Sequence, residues 1–285
     1  MTDVFSDFTV EKLPLSDWIE DGVGFLIEHF SVLTKVISKY TESGIDLVIN
    51  GLLALPPWLL ILFFMMIAWR LAGTRASVLT LFGLGLLWNL GLWKATMETL
   101  TMVLLATTVA VAIGIPLGIM AALSRTFYRL VMPVLDVMQT MPAFVYLIPA
   151  IPFFGLGAVS AIFATVIFAM PPSIRLTCLG IKQVPKELIE AADAFGSSKL
   201  QKLFKLQLPL ATSTIMAGIN QTIMLSLSMV VIAAMIGAGG LGGEVWKAIQ
   251  RLQVGVGFEA GIGIVILAMI LDRITQRVSK RNNLE

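Results

Sequence analysis

Long apolar runs separated by short polar stretches set the rhythm of this chain. The runs fall at about 57–72, 77–93, 97–122, 130–153, 157–179, 210–236 and 259–275. Most approach the ~20 residues needed to cross roughly 30 Å of hydrocarbon, so the pattern predicts an all-α polytopic membrane protein with about seven transmembrane helices. The first two are short. Ahead of them apolar residues recur at helical spacing: Leu15, Trp18, Ile19, Val23, Leu26, Phe30, Leu33 and Ile37. That spacing predicts an amphipathic helix lying on the membrane or on the protein. The expected division is an N-terminal tail over 1–50 carrying this helix, and a transmembrane domain over 51–285. One long polar interruption stands out between two apolar runs: EAADAFGSSKLQKLFKLQLP, Glu190 to Pro209.

Composition agrees with a bilayer as solvent. Apolar residues make up 57% and charged residues 13%, against roughly 45–50% and about 25% in soluble domains. A single cysteine, Cys178, and a single histidine, His29, leave no intrachain disulfide and no His/Cys metal site to expect. Residues 1–46 carry nine acidic and three basic side chains. With the tail outside, fourteen of the twenty basic residues fall in segments on the cytoplasmic side, as the positive-inside rule requires. The expected orientation is therefore N-terminus outside, C-terminus inside, with the Glu190–Pro209 stretch facing the cytoplasm.

Several spans hold more than lipid-compatible filler. The third has small residues four apart, Ala106, Ala110, Gly114, Gly118 and Ala122, a stripe that lets another helix approach closely, either within the chain or across a subunit interface. The fourth contains Pro133, Pro142, Pro149 and Pro152, and the fifth the pair Pro171 and Pro172. Each proline removes a backbone hydrogen bond, which a membrane tolerates only against protein or a wet cavity. The sixth presents Ser213, Ala217, Asn220, Gln221, Met224 and Ser228 on one face, either a helix contact or a cavity lining. Candidate pathway residues are accordingly Gln139, Met141, Pro142, Phe144, Tyr146, Pro171, Pro172, Asn220, Gln221 and Met224. Asp136 and Arg175 are candidates for an intramembrane ion pair, because ionisable groups there pair or serve a pathway.

Two motifs matter for what they exclude. A G-x-G-x-x-G match at Gly237, Gly239 and Gly242 lacks the preceding strand that dinucleotide binding requires, and reads as a flexible outer loop ahead of a short helix, EVWKAIQRL. No G-x-x-x-x-G-K-[ST] occurs, so any use of ATP must come from a partner.

The polar interruption reads as two helices with a break. Pro185 starts one, with Leu188, Ala191, Ala192 and Phe195 on a face, and Gly196 ends it through a backbone conformation that other residues resist. Ser197 or Ser198 caps the second, with Leu200, Leu203 and Phe204 on one side, and Pro209 marks a turn into the sixth span. The stretch closely resembles the EAA motif of permease subunits in ABC importers, E-A-A-x3-G-x9-I-x-L-P: Glu190, Ala191, Ala192, Gly196, Leu206, Leu208 and Pro209, with Leu206 in place of isoleucine. Over roughly 50–280, segments such as LDVMQTMPAFVYLIPAIPFF and FAMPPSIRLTCLGIKQVPKELIEAADAFG resemble the glycine betaine/proline/carnitine permeases of bacterial osmoprotectant importers.

That resemblance implies a type I ABC importer permease fold in the bacterial plasma membrane, with coupling helices at about 185–207 and ATPase contacts at Glu190, Ala191, Ala192, Phe195, Gly196, Leu206 and Pro209. It also implies a second copy of the chain, two cytoplasmic ATPases holding ATP and magnesium, and a separate extracytoplasmic substrate-binding protein. No cofactor on this chain, no nucleic acid partner and no enzymatic activity of its own are expected. The rival reading is an ion- or proton-coupled carrier for a small zwitterion. It calls for intramembrane acidic sites and inverted repeats, where the sequence offers one plausible buried carboxylate, Asp136, and no evident repeat.

Overall fold

The computed structural model describes residues 13–281, and of the side chains those up to 277. Among the described residues every regular element is helical: α1 (Leu15–Leu53), α2 (Pro57–Ala72), α3 (Thr74–Asn89), α4 (Trp93–Leu123), α5 (Arg125–Thr140), α6 (Leu147–Phe154), α7 (Ala158–Lys182), α8 (Lys186–Ala194), α9 (Lys199–Lys202), α10 (Leu208–Ala233), α11 (Gly240–Gln250) and α12 (Val254–Arg281). Each predicted apolar run except the fourth coincides with one helix. Four are long and apolar enough to cross a membrane alone: α4, α7, the continuous Lys199–Ile236 helix, and α12 as far as Arg277. Helices α2 and α3, 16 residues each, reach only about 24 Å and form a hairpin turned at Gly73.

The fourth run is not one helix. It breaks after α5 at Met141, passes through a short 3₁₀ turn, Ala143–Tyr146, and resumes as α6 at a bend of 113°. Pro142 explains the break: it pushes Met141 into extended backbone (ψ 133°) and withdraws its own N–H. The doublet Pro171–Pro172 has no such effect. Both prolines are buried in an unbroken α7, where neighbouring helices hold the helix straight.

α7 packs between α4 and α10, and small residues set both distances. A Cβ on Gly114 would lie 2.8 Å from the Ser173 side chain, and one on Gly118 would lie 2.7 Å from the Ile174 carbonyl. On the other side, Gly180 meets Ala211 and Thr214, and Gly218 meets Leu176. The Ala106–Gly118 stripe is therefore internal packing. Two apolar cores share α4, one formed with α6, α7 and α10, the other with α2, α3, α11 and α12. Buried hydroxyls are satisfied within their own helices, as where Thr165 donates to Ala161 and Thr222 to Gly218, which meets the demand of a medium without water.

α1 is longer than its periodicity suggested. It runs unbroken through residue 50, where the sequence suggested a division, and meets α2 at 102°. Ile45 is its only buried residue. From Leu15 to about Tyr40 the apolar face touches no other element of the described chain.

Candidate functional site: the polar loop and the α5–α7 face

Pro185 caps α8 at its first turn, and Gly196, at φ 73°, closes it. Ser197 N–H reaches back to the Ala192 carbonyl at 3.0 Å and Gly196 N–H to Asp193 at 2.9 Å, a left-handed helix stop. Ser198 then opens α9 with a reciprocal capping box: its hydroxyl accepts from Gln201 N–H, and Gln201 Oε1 accepts from Ser198 N–H at 2.8 Å. Across the break the Lys202 ammonium pairs with the Asp193 carboxylate. The break is thus braced, while α8 itself has no buried residue. Glu190 and Ala191 are exposed, Ala192 is half-buried and Leu188 is exposed. Phe195 is 90% exposed, an aromatic ring with no partner in its own chain.

The second half of the loop departs from expectation. Pro209 does not mark a turn. Leu203–Gln207 form a π-helical turn between α9 and α10, so one helix runs from Lys199 to Ile236. The wider turn accommodates a residue without an N–H and relieves the clash of its ring with the preceding carbonyls. Nor do Leu200, Leu203 and Phe204 share one buried side: Leu203 packs against Ile181 and Ala211, with Leu208 beside it, while Leu200 and Phe204 are exposed. Leu206 is half-buried.

Further into the bilayer α5 lies on α7 with a single buried residue, Leu135. Two polar rungs hold it. The Lys182 ammonium sits 3.2 Å from the centroid of the Tyr128 ring, and Arg175 Nη2 donates to Asp136 Oδ1. The rungs are eight residues apart on α5 and seven apart on α7, as two antiparallel helices require. Asp136 is 67% exposed and the Arg175 side chain 32%.

Comparison with known proteins places the whole. Residues 114–283 match the family described as binding-protein-dependent transport system inner membrane component. The chain belongs to that family. As an inner membrane component of such a system it is membrane-spanning, and a transport subunit rather than an enzyme. It is 51% identical over 267 residues to the glycine betaine transport system permease protein OpuAB of Bacillus subtilis (strain 168), covering 94% of this chain and 95% of that one. It is 50% identical over 282 residues to the glycine betaine/carnitine transport permease protein GbuB of Listeria monocytogenes, covering 95% and 98%. Among solved structures, inward-facing conformations of the MetNI methionine ABC transporter align with a TM-score of 0.61 at 23% identity, over 67% of this chain and 95% of that one. At that identity they support the fold.

Within this inner membrane component the predicted pathway residues part company. Gln139, Pro142, Phe144 and Gln221 lie exposed, and Met141 and Met224 are half-buried. Tyr146 is buried, its hydroxyl donating to the Met138 carbonyl and its ring edge-on to Phe168 at 5.5 Å. It ties α5 to the turn after it. Pro171 and Pro172 are buried as well, so none of these three fronts an open face. Asn220 turns away from Gln221: its amide donates to Asp272 Oδ1 at 3.0 Å and its carbonyl oxygen accepts from Thr275 at 2.9 Å, binding α10 to α12. Ala217, Gln221 and Ser228 remain as an exposed small and polar stripe.

Sequence reasoning missed two carboxylates in or at spans. Asp272 also accepts from Gln276, and it escaped notice beside Arg273 in the basic C-terminal cluster. Glu98 Oε2 accepts from Gly240 N–H at 2.9 Å, and Thr99 Oγ1 accepts from Leu241 N–H at 2.8 Å. These two side chains cap the N-terminus of α11, where the helix dipole favours a negative charge. GAGGLGG is therefore not a flexible loop before a later helix. α11 starts at Gly240, and Gly240 to Gly243 are buried. The glycines bring backbone N–H groups onto an internal carboxylate, the same physics that elsewhere holds a phosphate.

Proposed function

We propose that this chain is the permease subunit of an ATP-driven importer for glycine betaine or a related compatible solute. In this reading the N-terminus lies outside and the C-terminus in the cytoplasm. The chain pairs with a second copy, is driven by two cytoplasmic ATPases that carry the ATP and magnesium, and is fed by a separate extracytoplasmic binding protein. The relatives' printed cargoes support the solute class, and the density of Lys and Arg on one side supports the orientation. The observation that carries the coupling role is the Glu190–Gly196 segment: a short helix with no buried side chain, stopped by a left-handed glycine and braced to α9 by Asp193–Lys202. Such a helix offers Leu188, Ala191 and Phe195 to a socket on another protein, and small alanines permit close seating. Movement of that socket as ATP binds and is hydrolysed passes through α9 into α10 and through α7, switching the side to which the pathway opens.

Uptake in proteoliposomes holding this chain, its ATPase and its binding protein tests the reading. Glycine betaine accumulation is expected only with ATP. Accumulation that follows a proton or sodium gradient without ATP overturns it in favour of a secondary carrier.

A further inference from the structure

We infer that Asp136 and Arg175 are specificity-determining residues of the pathway: an internal ion pair that a zwitterionic cargo replaces charge for charge. The inference rests on the importer reading above and names what its membrane part recognises. Asp136 lies 11 residues from the start of α5 and Arg175 seven residues from the end of α7, about 10–16 Å along these helices. Ionised groups at such depth do not face lipid; they face protein or water. Yet no element of this chain covers the pair, and Asp136 is 67% exposed. The face that carries it is therefore a wet passage or is closed by another chain, and Pro133, Gln139 and Thr140, also exposed, continue it along α5.

The pair is also incompletely used. Asp136 takes Nη2 of Arg175, while Nε is buried without a partner. A guanidinium binds a carboxylate best through two parallel N–H groups, so an edge of Arg175 stands available to a second carboxylate. A zwitterion brings one carboxylate and one quaternary ammonium. It can give its carboxylate to Arg175 and its ammonium to Asp136, so four charges form two pairs with no change in the net charge of the wall. A simple cation cannot do this. It would take Asp136 and leave the guanidinium unpaired in a place where an uncompensated charge is costly. The wall thereby favours net-neutral cargo over cationic cargo of the same headgroup.

The test uses the complex with its ATPase in nanodiscs, without binding protein, so that selection upstream plays no part. In a Cys178→Ala background, Gln139→Cys puts a thiol three residues from Asp136 on the same face of α5. The rate of its labelling by methyl methanethiosulfonate is measured with glycine betaine or choline present. Glycine betaine at saturation is expected to slow labelling at least 3-fold, choline at equal concentration less than 1.5-fold, and Asp136→Asn or Arg175→Gln to remove the betaine effect while each complex still elutes as a single assembled species. Equal protection by choline, no protection by betaine, or protection that survives Asp136→Asn overturns the inference. ATP-driven betaine uptake by the unaltered complex reports on the importer reading separately: uptake without protection sinks the ion-pair role alone.

Discussion

Gly240 has no room for a side chain. Its φ is 69°, and a Cβ would lie 2.4 Å from Thr99 Oγ1, the atom that accepts the next N–H. Gly240→Ala therefore strains the backbone and pushes Thr99 and Glu98 off the helix they cap, a loss of about 1–3 kcal/mol. Gly243→Ala, with nothing within 4 Å of the new methyl, should be close to neutral. Thermal unfolding of the two variants in detergent is expected to separate them by several degrees, and equal midpoints would remove Glu98 and Thr99 from the account. At this scale the sequence was legible where a residue acts through its own backbone. Gly196 as a helix stop, Pro142 as a break and Ser198 as a cap all follow from local stereochemistry. It was illegible where a residue's partner lies far along the chain. Nothing near Glu98 in sequence announces Gly240, and Asn220 looks alike whether it faces a cavity or Asp272.

Between elements, the decisive contacts are backbone to backbone. Gly118→Leu would drive a side chain into the Ile174 carbonyl and Thr177, separating α4 from α7 at the centre of the fold. The expected loss is at least about 3 kcal/mol, seen as a failure to purify a monodisperse complex. Gly85→Leu, with open space around it, serves as the control. The loop between α7 and α10 behaves in the opposite way. Phe195→Asp removes an aromatic group that touches nothing here, so the permease should unfold at an unchanged temperature but no longer retain its ATPase on co-purification, and solute uptake should fall at least 10-fold. Retention of the ATPase and of uptake by that variant would sink the docking role. The positions of the apolar helices were readable from hydrophobic run length, because a bilayer imposes it. The bend between α5 and α6 was only half readable: proline marks a possible break but does not say which of several will take effect. The two prolines within α7 show why, since packing on both sides overrides them.

For the whole molecule the dispensable part is the beginning of α1. Its apolar face from Leu15 to Tyr40 contributes no buried residue to either core, whereas Ile45 packs into one of them. Removing the chain ahead of Thr41 should leave the unfolding midpoint within about 2 °C, while a cut after Leu53 should lower it by more than about 5 °C through loss of the Ile45, Ile49 and Leu52 contacts. Composition and charge had already made the class and the handedness of the topology legible, but they said nothing of which spans abut. The π turn at Leu203–Gln207 has a consequence at this scale. It stores one surplus residue in an otherwise regular rod from Lys199 to Ile236. Deleting a single residue there restores ordinary helical pitch, yet rotates everything beyond it by 100° relative to the loop. Gln221 and Ser228 would swing off the open face and Asn220 off Asp272. One residue's worth of phase in the rod thus sets which side of α10 the rest of the molecule meets.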